Sequence, residues 1–271
     1  MPVGSPSSAA PRTVGALSWR LVLRDRWPVL GALLVVIGIC WTYLLNGAGT
    51  MEEMGGMLMP MSSGPWTLTH AAVMLVMWVV MMAAMMLPSA APMILFYASV
   101  AQRRQLGGES LATTAFALGY LSCWTVFSLL AVALQFLLER VSLLSPMMET
   151  TSVTFAGTVL VAAGIYQWTP LKQSCLRKCR SPLDFVLTRW QPGRSGALWM
   201  GLEHGLVCVG CCWVLMLLLF VGGVMNVAWI AGIAAFVLIE KLTPAGHWMG
   251  RIAGLMLMAW GVATLWVAGT A

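Results

Sequence analysis

The sequence predicts an all-α protein, a polytopic transmembrane helical bundle of about seven spans, with its N-terminus inside and its C-terminus outside. Apolar side chains make up 60% of the 271 residues and charged side chains only 9%, whereas soluble proteins are about 25% charged. A spanning helix needs about 20 mostly apolar residues. Seven such runs are present, at approximately 28–46, 69–97, 112–138, 150–168, 197–219, 224–242 and 250–270. Because lipid offers the backbone no hydrogen-bond partners, each run must be helical.

The basic residues orient this bundle, because loops rich in Lys and Arg stay in the cytoplasm. Of the 15 Lys and Arg residues, all but Arg140 fall on one side of the seven-span arrangement. That side comprises Arg12, Arg20, Arg24, Arg26, Arg103, Arg104, Lys172, Arg177, Lys178, Arg180, Arg189, Arg194, Lys241 and Arg251. We therefore expect a cytoplasmic segment over 1–27, one membrane domain over 28–271, and a multi-pass location in a bacterial inner membrane. The net charge of +6 then reflects topology and needs no nucleic-acid partner.

A methionine-rich loop over 47–68 follows the first run and faces outward in this arrangement. It reads MEEMGGMLMPM and contains Met51, Met54, Met57, Met59 and Met61. Thioethers are soft, uncharged ligands that suit Cu(I). The pattern therefore favours capture of copper, and the alternative is a segment that packs on the helix ends.

The second run, THAAVMLVMWVVMMAAMMLPSAAPM, places a histidine and many methionines at steps of three or four. Residues at this spacing share a helical face. The candidate metal ligands from this run are His70, Met81, Met82, Met85 and Met86. Packing in an apolar core is the alternative role for such a stripe.

The fifth run, GALWMGLEHGLVCVGCCW, combines a histidine with closely spaced cysteines. At about 100° per residue, His204, Cys208 and Cys211 lie within about 80° of one another, and Cys212 lies about 40° further round. Ionisable residues inside a span normally face a bundle interior and have a role. Thiolate and imidazole suit Cu(I), and zinc would also accept the thiolates. A buried cysteine that acts only as a small apolar residue is the alternative.

The cytoplasmic loop over 169–196 contains a second thiol pair. Cys175 and Cys179 stand four residues apart, close enough on a helical turn to chelate a metal together. The surrounding basic residues are expected to stabilise the thiolate forms, although they would equally suit a stretch that lies on anionic lipid. Further along, Glu240 and Lys241 at the inner end of the sixth run are expected to form an ion pair or to mark a helix terminus at the interface.

Three motifs together resemble the bacterial domain-of-unknown-function family 2182, described as predicted metal-binding integral membrane proteins. They are MMxAMMLP in the second run, YQxxPLKxxCLxxCRxP in the basic loop and GxxCxGCCW in the fifth run. Members are commonly labelled copper chaperones, so the resemblance implies delivery of copper to exported or membrane cuproenzymes. The residues that match the motifs are Met81, Met82, Met85, Met86, Cys175, Cys179, Cys208, Cys211 and Cys212.

The leading hypothesis is therefore a protein, not an enzyme, that binds Cu(I) through Met, Cys and His and delivers or translocates it. Its expected partners are the metal ion, the lipid bilayer, and a cuproenzyme or a periplasmic metallochaperone. The chain contains no P-type ATPase or nucleotide-binding signature, so transport would depend on a gradient or a partner. The alternatives are a membrane thiol-disulfide oxidoreductase and a scaffold subunit whose Met and Cys residues only pack.

Overall fold

The structure is a computed structural model that describes residues 27–47, 51–54, 57–60, 66–104, 108–145, 148 and 150–270. These residues form ten helices and one short β-hairpin, which confirms the predicted all-α class apart from the hairpin. The helices are α1 (Trp27–Leu45), α2 (Leu68–Arg103), α3 (Glu109–Arg140), α4 (Val153–Trp168), α5 (Pro170–Cys179), α6 (Pro182–Arg189), α7 (Gly193–Leu217), α8 (Leu219–Gly222), α9 (Val227–Leu242) and α10 (Gly246–Thr270).

Each of the seven predicted apolar runs coincides with a helix, but the helices differ in length. Among the described residues, α1, α2, α3, α10 and the continuous pair α7–α8 are long and apolar enough to cross a membrane. The helices α4 and α9 have 16 residues each, which corresponds to about 24 Å. A hydrocarbon core is about 30 Å thick. The chain is thus a membrane protein with five candidate spans and two shorter helices.

The segment expected to be a methionine-rich loop contains regular structure. The strand β1 (Met51–Met54) pairs antiparallel with β2 (Met57–Pro60), so that Met54 stands opposite Met57. Met61 and the N-terminal segment 1–26, with its arginines, lie outside the described residues.

Glycine allows two pairs of helices to approach closely. A Cβ at Gly201 of α7 would collide with the Phe116 carbonyl of α3, and a Cβ at Gly119 would collide with the Leu198 carbonyl. In the same way, Gly164 of α4 lies against the backbone of Gly254 in α10. Small residues bring membrane helices together in this manner. The helices α3 and α7 therefore pack closely together, and α2 lies in the interior beside them.

The basic loop is folded against the bundle. The helix α5 begins at the Thr169 cap, whose hydroxyl accepts from the Lys172 amide at 3.3 Å, and has Pro170 as its first residue. Such a start is favourable because proline has no amide hydrogen to leave unpaired. Lys172 is only 2% exposed, and its ammonium lies 2.8 Å from the Glu240 carboxylate. The first expectation for Glu240 and Lys241, an ion pair, is therefore wrong, because Glu240 pairs with a lysine from α5. The second agrees with the structure, since both residues lie in the last turn of α9.

Candidate metal centre

Three buried thiols of α7 form the core of the site. The sulfur atoms of Cys208, Cys211 and Cys212 all lie within 4.8 Å of one another. The spacing i, i+3 and i+4 places them on one face of the helix, and each is at most 2% exposed. The Cys211 and Cys212 thiols contact the Cys208 carbonyl at 3.0 and 3.1 Å. A metal ion at this point would displace these weak bonds and gain three sulfur ligands.

The thiol of Cys179, at the end of α5, joins this group. Its interactions with the Cys208 and Cys211 thiols, together with burial, raise the pKa of Cys179 well above its usual value. We call Cys179, Cys208, Cys211 and Cys212 the cysteine cluster. The sequence placed Cys179 in a separate cytoplasmic loop, whereas the folded α5 brings it to the thiols of α7.

Cys175 lies one turn earlier on α5. Its sulfur would be only 2.9 Å from a Cβ at Gly210, so the absence of a side chain there makes room for the thiol. Burial raises the pKa of Cys175, the nearby Cys211 raises it further, and Lys178 lowers it by less. Lys178 thus favours the thiolate, as expected of the surrounding basic residues, but burial outweighs it and the pKa of Cys175 is raised on balance.

Two polar side chains converge on the sulfur of Cys208. The Lys241 ammonium donates to it at 3.0 Å and also donates to the Ser89 hydroxyl at 3.1 Å. The Tyr120 hydroxyl lies 3.0 Å from the same sulfur. A lysine beside a cysteine stabilises the thiolate, which is the form that binds metal. Sequence reasoning missed both contacts, since nothing in the local pattern ties Tyr120 or Lys241 to α7.

The methionine stripe of α2 reaches the cysteine cluster at Met86. The Met86 sulfur lies 3.9 Å from the Cys212 sulfur. Met81, Met82 and Met85 are also fully buried in α2. A thioether therefore adjoins the thiols, and further thioethers continue along the same helix.

The two candidate histidines lie outside the cluster of close sulfur atoms. His204 is enclosed by aromatic rings, with centroids 5.7 Å from Tyr120 and 5.6 Å from Phe185. His70 lies near the start of α2, where its ring packs edge-on against Trp66 at 4.9 Å. The structure thus brings the predicted cysteines together with Met86 and leaves the imidazoles apart from them.

A separate, partly buried polar group lies at the start of α2 and the end of α3. Glu139 accepts from the Trp66 indole at 2.6 Å and from the Gln135 amide at 2.9 Å. The Gln135 oxygen accepts from the Trp78 indole at 2.9 Å, and its nitrogen contacts the Met74 sulfur at 3.6 Å. We call these five residues the Glu139 network. A sequence signal for it existed, because Gln135 and Glu139 stand four residues apart inside an apolar run.

The chemistry of the donors fits a soft metal ion. Thiolates and thioethers together select Cu(I) over hard cations, and zinc sites rarely use methionine. The cysteine cluster draws its sulfur atoms from α5 and α7, and Met86 adds one from α2, so binding would connect three helices. The site is buried in an apolar bundle, where competing water is scarce.

Comparison with known proteins gives one family. No curated protein and no solved structure matches the chain significantly. The model of the PpoB2 family, described as a copper chaperone, matches residues 75–264. This supports the copper-chaperone-like family that the motifs indicated, although not the particular name of domain-of-unknown-function family 2182. The match spans α2 to α10, including the whole cysteine cluster, and the chain belongs to the PpoB2 copper chaperone family.

Proposed function

We propose that the protein binds Cu(I) in the cysteine cluster and delivers it, within the membrane, for cuproenzyme maturation or copper homeostasis. The observation that carries this proposal is the close group of Cys208, Cys211 and Cys212 sulfur atoms. With Cys179 and Met86 beside them, they provide a soft donor set inside the bundle. The family description supplies the metal, and the donor set supports it.

Transfer by ligand exchange accounts for the methionine stripe. Met74, Met77, Met81 and Met85 recur about once per turn of α2, and one turn rises about 5.4 Å. A Cu(I) ion would pass from one thioether to the next between the Glu139 network and Met86. The hairpin methionines at β1 and β2 precede this path in sequence, and capture of copper there is part of the same proposal.

The positive-inside pattern completes the proposed arrangement. It places α5, α6 and the loops around them in the cytoplasm of a bacterium, and the Glu139 network toward the outside. In this arrangement the N-terminus is inside, the C-terminus is outside, and α4 and α9 bring the count to seven spans. Tagging each terminus with a reporter that is active on only one side of the membrane tests it.

Metal analysis of the detergent-purified full-length protein tests the function. We expect stoichiometric copper in the wild type and its loss in the triple variant Cys208→Ser, Cys211→Ser, Cys212→Ser. The matched control is Cys40→Ser, which replaces a buried thiol of α1 outside the cysteine cluster and leaves copper unchanged. Equal copper in wild type and triple variant would refute the site.

The same preparations distinguish the other candidate functions. A protein without stoichiometric metal that forms a trappable mixed disulfide would be a thiol-disulfide oxidoreductase. A protein that supports cuproenzyme activity normally after Met81, Met82, Met85 and Met86 are all changed to Leu would use these side chains only for packing. Copper binding together with loss of delivery in that variant supports the proposed path.

A further inference from the structure

A cavity opens beside the cysteine cluster at the end formed by α5 and α9. Its volume is about 430 Å³, and its lining includes Pro88, Ser89, Pro92, Cys179, Arg180 and Lys241. The proline and serine side chains are partly exposed. The cavity therefore connects the surface of the bundle with the interior site, and we call it the Cys179 cavity.

Three local features create this space. The helix α5 ends at Cys179, and α9 ends at Leu242, so neither continues past the cavity. On the facing side, Pro88 and Pro92 interrupt the hydrogen bonding of α2, because proline has no amide hydrogen to donate. These helix ends and the proline pair border the cavity.

The charges of the lining residues have one sign. Arg180 and Lys241 are the charged residues among them, and the described lining residues contain no carboxylate. Arg180 donates to the Thr243 carbonyl, which fixes its guanidinium near the end of α9. Arginine has five donors in a planar fork, a geometry suited to carboxylates. The positive charges of the lining residues therefore suit a small anion.

Cys179 faces two environments. Cys179 lines the cavity, and its thiol also interacts with Cys208 and Cys211. A ligand in the cavity could therefore exchange a metal with Cys179 without entering the interior. The other cluster sulfurs, in contrast, do not line the cavity.

We propose that the Cys179 cavity binds the Cu(I) complex of a small anionic thiol, such as a cysteine-containing peptide with free carboxylates, and exchanges copper with it through Cys179. The volume lies within the range of about 300–1,000 Å³ that is usual for small-molecule sites. The proposal rests on the proposed function, since it supplies copper to the cysteine cluster or removes copper from it.

The exchange step balances without an oxidant or reductant. The Cys179 sulfur forms a bond to Cu(I) as the bond between Cu(I) and the carrier sulfur breaks. The proton of the Cys179 thiol passes to the departing carrier thiolate, which leaves as a thiol. Copper remains Cu(I) throughout, and Cys208 and Cys211 then complete its coordination in the cluster.

The test measures the rate at which the full-length protein takes copper from two carriers that differ in charge. Glutathione and its diethyl ester present the same thiol, but the ester lacks free carboxylates. We expect Arg180→Gln to slow uptake from Cu(I)–glutathione about tenfold, the size of one charge-assisted hydrogen bond, and to leave uptake from the ester complex unchanged. The matched control is Arg177→Gln, which replaces an exposed arginine of α5. We expect it to leave both rates unchanged. Equal slowing from both carriers, or from neither, would overturn the proposal.

Two further measurements keep the result clear if Arg180→Gln does not fold. In the wild type, S-methylglutathione, which has the carboxylates but no free thiol, should slow uptake from Cu(I)–glutathione, while its diester should not; absence of this competition also overturns the proposal. The final copper content after loading with excess Cu(I) in acetonitrile reports on the cysteine cluster alone. If that content is zero, the proposed function fails; if it is normal and glutathione shows no charge dependence, the cavity proposal alone fails.

Discussion

The cysteine cluster and the Glu139 network are two largely buried polar regions of one apolar bundle, and their charges are balanced in different ways. In the Glu139 network, the described donors to the carboxylate are neutral: the indole of Trp66 and the amide of Gln135. In the cysteine cluster, the ammonium of Lys241 contacts the sulfur of Cys208 directly. One region therefore presents a negative group held by neutral donors, and the other holds soft sulfur beside a cation.

Because of this difference, the two ends of the methionine stripe of α2 have different chemical surroundings. The Glu139 network includes the thioether of Met74, and the cysteine cluster adjoins the thioether of Met86. Neutral soft ligands thus lie between an acidic region and a thiol region, an order that suits a monovalent soft cation. Changes on either side should separate the structural contribution of each region from its contribution to copper binding.

The largest effect on stability is expected at the ion pair that supports the cysteine cluster. Glu240→Gln leaves the buried ammonium of Lys172 without its counter-charge, and removal of one partner of a buried pair costs about 3–5 kcal/mol. Both side chains are only 2% exposed. We expect a corresponding loss in the free energy of unfolding, measured in detergent by titration with a denaturing surfactant.

Two variants serve as controls for this prediction. The double variant Lys172→Met, Glu240→Leu should recover most of the loss, because an apolar pair can replace a buried ion pair. Arg189→Gln breaks the exposed pair of Arg189 and Glu203, whose atoms lie 3.2 Å apart, and should change stability by less than about 1 kcal/mol. Similar losses at both pairs would show that burial is not the cause.

A smaller loss is expected at the centre of the Glu139 network. Gln135→Leu removes the acceptor of the Trp78 indole and one donor to Glu139, and an unsatisfied buried polar group costs about 1–3 kcal/mol. The same unfolding titration measures the change, with Thr158→Val on the exposed face of α4 as the control. Copper content should remain normal in this variant, since the cysteine cluster is untouched. A loss of bound copper would link the two regions more closely than the contacts indicate.

The contribution of the thioether beside the thiols should appear in copper affinity. Met86→Leu conserves volume but removes the sulfur 3.9 Å from Cys212, and we expect about a tenfold weaker affinity, as for other groups next to a metal site. Competition with a coloured Cu(I) chelator measures it. Met256→Leu, on an exposed face of α10, is the matched control. An unchanged affinity in Met86→Leu would remove the thioether from the site.

The sequence was sufficient for the helices and for the i, i+3, i+4 thiols, because both depend on local periodicity. It was not sufficient for the packing of α5, which lies in the segment predicted to be a basic cytoplasmic loop. The position of α5 against α7 depends on Gly210 and on a carboxylate 68 residues away from Lys172. The partner of Lys241 was equally inaccessible, since Cys208 is 33 residues away and on another helix.

The smallest effect concerns the reactivity of Cys175. Its pKa is raised in the folded protein, so at a pH near the usual thiol value of about 8.5 a smaller fraction is thiolate than in an unfolded chain. Because the thiolate is the nucleophile, alkylation of Cys175 by iodoacetamide should be slower in the folded protein and should reach its half-maximal rate at a higher pH. Mass spectrometry of the peptide that contains Cys175 measures the rate over a pH series. The control is the same peptide after unfolding in surfactant, and a folded protein whose Cys175 reacts as fast as this control would show that α5 does not remain packed against α7.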